Sequence, residues 1–190
     1  MTNKLTKEEL KAAFKRNVEA LKELGLSPKQ IGYLTLHGEQ KLATQHINGK
    51  AFGAKGVKRA DIAATSLLLL LNKHSIRIEE ISYDEQGRLI CAQVDYSSPE
   101  PDVAGPQGVY KAQSDLLIEN GCSLLSIASA MYLGDTTKNS YNRVTSKRSG
   151  LVAVTKADAS LMLLAGLVNE KICSLKDIDY DDAFNALIAK

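Results

Sequence analysis

The sequence predicts a mainly α-helical fold of two duplicated halves, each of about four helices, with a β-hairpin closing the first half. Three observations carry this expectation. The chain matches itself at a fixed offset, helix-start signals recur along it, and apolar residues fall at helical spacing through most of its length. Sliding the 190-residue sequence by 97 positions sets Ala43–Asp84 on Ser140–Asp181 with 11 identities over 42 ungapped positions, among them Lys50/Lys147, Gly53/Gly150, Asp61/Asp158 and Tyr83/Tyr180. Chance would give roughly three, so an internal repeat is expected. At an offset of 96 the match extends upstream through Gly25/Gly121, Ser27/Ser123 and Gly38/Gly134. The expected organisation is a first repeat with its hairpin over residues 1–96, a Pro/Gly/Ser-rich linker over 97–106, and a second repeat over 107–190.

The elements follow in order. Thr6 with Glu9 forms a capping box, Leu5 and Leu10 are spaced for a hydrophobic staple, and Leu10, Phe14, Val18 and Leu21 share one helical face. Gly25 ends this helix. Ser27, Pro28 and Gln30 start a second, running to about Leu36. A third is expected over about Gln40–Ile47, matched in the second half by "TKNSYNRVTSK" with Asp135 or Thr136 as its cap. A fourth, about Lys58–Lys73 and Thr155–Glu170, is apolar around most of its circumference and so belongs at the centre of each half. "IRIEEISYDEQGRLICAQVDY" alternates about a turn and reads as a hairpin, a wing or a dimerisation edge. The second copy's end, "DIDYDDAFNALIAK", reads as a short helix.

Bulk composition is ordinary for a globular chain, with 44% hydrophobic and 24% charged residues and a net charge of +2. The arrangement of that charge is not ordinary. Residues 40–60 contain no acid but carry Lys41, Lys50, Lys55, Lys58 and Arg59; residues 136–157 contain no acid but carry Lys138, Arg143, Lys147, Arg148 and Lys156. The rest of the chain is therefore net acidic, and such segregation is the footprint of a polyanion binder. The glycines among these lysines, in "HINGKAFGAKGVKR", lack the G-x-x-x-x-G-K-[ST] spacing of a nucleotide loop and follow a helix rather than a strand.

Two short helices separated by three or four residues including a glycine, found twice, resemble the helix-turn-helix motif of DNA-binding proteins over about 20 residues in each half. The resemblance implies two helix-turn-helix domains that bind double-stranded DNA, with each third helix in a major groove and half-sites about one helical turn apart. Gln40, Thr44, Gln45 and Asn48, with Asn139, Asn142 and Arg143, then have groups suited to base edges. The ten basic residues would meet phosphates. A phage- or plasmid-type transcription regulator is the expected function. A DNA-binding adaptor in replication, partition or recombination, or a module meeting an acidic protein, is the alternative.

Catalysis finds no support: His37, His46 and His74 have no metal spacing, and no nucleophile–base set is readable. Asp61 and Asp158 are expected to serve the helix dipole or pair with Arg59 or Lys156. Cys91, Cys122 and Cys173 form no C-x-x-C pair and read as free thiols in a reducing compartment. The charged first 24 residues lack a signal-peptide core, and the five-leucine run at Leu67–Leu71 is too short for a membrane, so a cytoplasmic location is expected. No cofactor and no small-molecule ligand is evident; a homodimer is possible.

Overall fold

The computed structural model describes residues 6–53 and 55–189. Its first half runs α1 (Lys7–Glu23), α2 (Pro28–Thr35), α3 (Ala43–Ala51), α4 (Arg59–Lys73), β1 (Ile81–Tyr83), β2 (Leu89–Cys91) and β3 (Tyr96–Ser97). The second runs α5 (Pro106–Glu119), α6 (Leu124–Met131), α7 (Lys138–Arg148), α8 (Lys156–Lys171), β4 (Ile178–Tyr180) and β5 (Ala186–Ile188). The fold is mainly α, and four helices followed by an antiparallel hairpin occur in both halves.

Local signals place the early elements where the sequence puts them. The Thr6–Glu9 and Ser27–Gln30 capping boxes both form, and α1 buries Phe14, Val18 and Leu21. Gly25 follows α1 with φ +94°, a conformation a side chain would strain. Leu5 of the expected staple lies outside the described residues.

Two expectations are corrected. The second half does not end in a helix: β4 and β5 pair from Ile178↔Ile188 to Tyr180↔Ala186. The turn explains why. The Asp84 carboxylate accepts from the N–H groups of Gln86 and Arg88, and Asp181 does the same with Ala183 and Asn185. An aspartate that folds its own backbone into a turn competes successfully with helix formation. The third helix also starts later than expected. Leu36–Leu42 separate α2 from α3, and Tyr132–Thr137 separate α6 from α7, longer than the tight turn of the expected motif. His37 and Leu133, with φ of 55° and 59°, reverse the chain at matching places. The added residues reach the opposite half: the His37 N–H donates to Ser160 Oγ at 2.5 Å, and Glu39 pairs with Lys156.

The core is continuous across the halves. Asp61–Leu68 of α4 and Asp158–Val168 of α8 are unbroken buried runs, more than two and three turns of helix, so every side of each is covered. Part of that cover is the other central helix, since α4 packs directly on α8. Polar exceptions on these helices bond outward. Ser66 Oγ donates to the Phe184 carbonyl at 2.7 Å, and Ser160 Oγ lies 3.0 Å from Tyr83 Oη. The segment expected as a linker is partly structured: Ser97 lies in β3, Ser98 is buried and bonds Leu89, and Pro106 opens α5. The first hairpin is tied to the second half, because Tyr96 Oη of β3 donates to the buried Gln113 of α5 at 3.1 Å.

Close approach fixes the α2–α3 crossing. A Cβ on Gly32 would stand 2.6 Å from that of Ala43, so the two helices touch backbone to side chain.

A shared core predicts one cooperative unfolding transition, with far-ultraviolet circular dichroism and tyrosine fluorescence coincident in urea. Two separated transitions would show independently folding halves. Tyr180→Phe removes the 2.5 Å bond to the Ala130 carbonyl and is expected to lower stability by about 1–2 kcal/mol.

Candidate nucleic-acid interface

The late start of α3 changes the role of its leading residues. Gln40 and Lys41 are exposed in the loop before it, with the Lys41 N–H donating to Glu39. Thr44 and Gln45 lie exposed in its first turn, and Asn48 is half-buried. In α7, Lys138, Asn139, Asn142 and Arg143 are all exposed, with Ser140 and Val144 turned to the core. Polar side chains in the first turns of both third helices are thus presented to solvent. Lys55 and Lys58 are exposed in the loop leading to α4.

Half of the expected phosphate contacts are committed within the protein. Lys50 is 6% exposed and its ammonium bonds Asp61; Lys147, half-buried, bonds Asp158 at 2.5 Å. These pairs occupy equivalent positions in the two halves. They correct the expected partners of both aspartates: each reaches back across 11 residues to the third helix, and not to the neighbouring Arg59 or Lys156. The second carboxylate oxygen of each caps its own helix, Asp61 accepting from the Lys58 N–H at 2.7 Å and Asp158 from the Thr155 N–H at 3.0 Å. One side chain therefore fixes the third helix to the start of the fourth. Lys50 and Lys147 are structural, not free surface charges.

The other pairs join elements or halves. Arg59 bonds Asp135 of the second half at 2.6 Å, and Lys156 bonds Glu39 of the first, so the same contact is made in both directions. Glu39 and Asp135 are equivalent at the offset of 96, as Arg59 and Lys156 are at 97. Arg148 bonds Asp115 of α5 at 2.6 Å. Lys41, Lys55, Lys58, Lys138 and Arg143 have no acidic partner among the described residues.

The two windows meet at one cleft of about 850 Å³ between the halves. His46 and Lys50 of α3 line it from one half, and their equivalents Arg143 and Lys147 of α7 from the other. The first turns of α4 and α8 also border it, with Ala60 and Asp61 matched by Ala157 and Asp158. Helix N-termini favour negative charge, which adds to the basic side chains. α3 and α7 thus border a single basic region, in place of two separated reading heads. Sequence reasoning missed Leu36 and Tyr132, equivalent residues that line this cleft, and the acid Glu39; it took Asp135 or Thr136 for the cap of α7, where Thr137 holds the cap position and its N–H donates to Asp135. The acidic match at the offset of 96 was the available signal.

Burial pushes the Asp158 carboxyl up, but the Lys147 ammonium and the Thr155 N–H and hydroxyl outweigh it and hold the group below its ordinary value. Burial, with Lys50 adding to it, holds the His46 imidazole below its ordinary value, so it is neutral near pH 7. Among the described residues no group of three or more His, Cys, Asp or Glu is placed to hold a metal, and no helix is long and apolar enough to cross a membrane. The three cysteines are free, with Cys91 and Cys122 buried.

Asp158→Asn leaves the Lys147 ammonium without its counter-charge and is expected to lower stability by about 3–5 kcal/mol. Because the folded-state pKa of Asp158 is depressed, its contribution is complete above about pH 4 and is lost as pH falls through the folded value. The variant should therefore show a shallower acid limb in stability against pH than the parent, measured by urea unfolding. An identical limb would show that the pair carries no pH-dependent stability. Comparisons with protein-family models, curated proteins and solved structures give no match.

Proposed function

We propose that the chain binds double-stranded DNA and acts as a transcription regulator, through exposed polar residues of α3 and α7 and the unpaired cations of the two basic windows. The observation that carries this reading is the meeting of the two acid-free windows at one region, with Thr44, Gln45, Asn139 and Asn142 exposed on the two helices that border it. Amide side chains of this kind bond adenine edges, and cations at the rim hold the phosphates that fix register. The two repeats differ at these positions, so the reading is of one asymmetric site rather than two equal half-sites.

A second reading has its own support. Phe52, Leu151 and Val152 are 67%, 83% and 49% exposed in the loops beside the same cations. Apolar groups among unpaired cations also suit a protein partner with an acidic surface.

The test is fluorescence anisotropy of the full chain on duplex DNA from upstream of its own gene and on a shuffled duplex. With five unpaired cations on phosphates, a fourfold rise in salt should weaken binding by about 500-fold. Arg143→Glu and Lys55→Glu should each weaken it about tenfold or more, whereas Lys50→Met should act on stability and leave the salt slope unchanged. Equal affinity for both duplexes removes sequence-specific regulation. No binding of either at low salt removes the DNA reading and leaves the protein-partner one.

A further inference from the structure

The cleft between the halves has features of a second kind of site. Its volume of about 850 Å³ is that of a small-molecule site. Four of the cations lining it are held by the carboxylates described above. Lys58 from the first half and Arg143 from the second are not, which leaves an excess of two positive charges among the described residues.

Two more lining side chains hold polar atoms with nothing to bond. Tyr132 is 4% exposed and its hydroxyl has no hydrogen-bond partner among the described residues; His46 Nε2 is buried and also has none among them. Buried polar groups in folded proteins are nearly always paired. Two orphans from opposite halves at one cavity are therefore a sign of a missing polar partner. Burial and the nearby Asp158 carboxylate push the Tyr132 phenol up to about 12, so near neutral pH it is a donor. The Arg143 guanidinium stands 5.8 Å from the centre of the Tyr132 ring, which puts a free cation and an orphan hydroxyl on one wall. Leu36 and Val152 supply apolar surface beside them.

We propose that this cleft binds a phosphorylated metabolite of nucleotide size, with its phosphate met by Lys58 and Arg143 and its organic body against Leu36 and Tyr132. A phosphate monoester carries close to two negative charges at neutral pH and several strong acceptor oxygens, matching both the charge excess and the orphan Tyr132 hydroxyl. The site departs from the expectation that no small-molecule ligand is evident, and it does not depend on DNA binding.

The experiment is isothermal titration of the full chain, without DNA and at matched ionic strength, with AMP, adenosine, inorganic phosphate and succinate as probes. AMP is expected to bind saturably, inorganic phosphate more weakly, and adenosine and succinate weakest. Arg143→Met should weaken AMP about tenfold, the loss of one charge-assisted contact, while Lys22→Met, an exposed cation of α1 outside the cleft, should leave it unchanged. Tyr132→Phe should weaken it severalfold, and the exposed Arg143 variant keeps the test open should that one fold poorly. Adenosine or succinate binding as tightly as AMP overturns the assignment of a phosphate. AMP binding that Arg143→Met and Tyr132→Phe both leave unchanged puts the anion elsewhere and overturns the site. Absence of saturable binding by AMP and phosphate up to about 10 mM, weaker than any useful metabolite affinity, overturns the proposal.

Discussion

A helix that is buried around its whole circumference has no stable place on a surface, and α4 and α8 are both of this kind along most of their length. Asp158–Val168 is buried without a break, and so is Asp61–Leu68. α1 and α2 cover α4, α5 and α6 cover α8, and the packing of α4 on α8 covers a further side of both. The rest of the architecture follows from that requirement. The loops after α2 and α6 are long because they carry Glu39 and Asp135 across to the other half. The hairpins turn inward because Ser66 and Phe184, and Ser160 and Tyr83, bond over the same boundary.

Much of this was legible in the sequence, and what was not has identifiable causes. Capping boxes at Thr6 and Ser27 depend on residues three apart, so they can be read locally. Helical periodicity located the central helices for the same reason. The second hairpin was missed because "DIDYDDAFNALIAK" has an alanine-rich, helix-favouring composition. The decisive feature is one aspartate, equivalent to Asp84, folding its own turn. The start of α3 was misplaced because no side chain caps it; Leu42 occupies the cap position, so nothing local marks the boundary.

The basic windows show the limit of reading charge from sequence. Counting cations along the chain ignores where acids return in space. Asp61 and Asp158 lie just beyond each window, and Glu39 and Asp135 just before. Folding brings all four back onto cations of the windows. The buried pairs act by position more than by net attraction, since the desolvation of two charges offsets much of their Coulomb energy. Each holds the last turn of a third helix against the first turn of a fourth, and so sets the walls of the cleft.

Near-equivalence of the halves makes their differences at the cleft informative. The ion-pair framework is kept in both, while the residues between the pairs diverge: His46 faces Arg143, Leu36 faces Tyr132, and Lys58 faces Thr155. A homodimer would place identical residues on both walls and meet any ligand or duplex equally in two orientations. Two halves in one chain lift that constraint, because each wall can change alone while the shared core and the crossing ion pairs preserve the geometry. One wall then offers a neutral imidazole and a free lysine, the other a phenol and a guanidinium, and a bound partner is held in a single orientation.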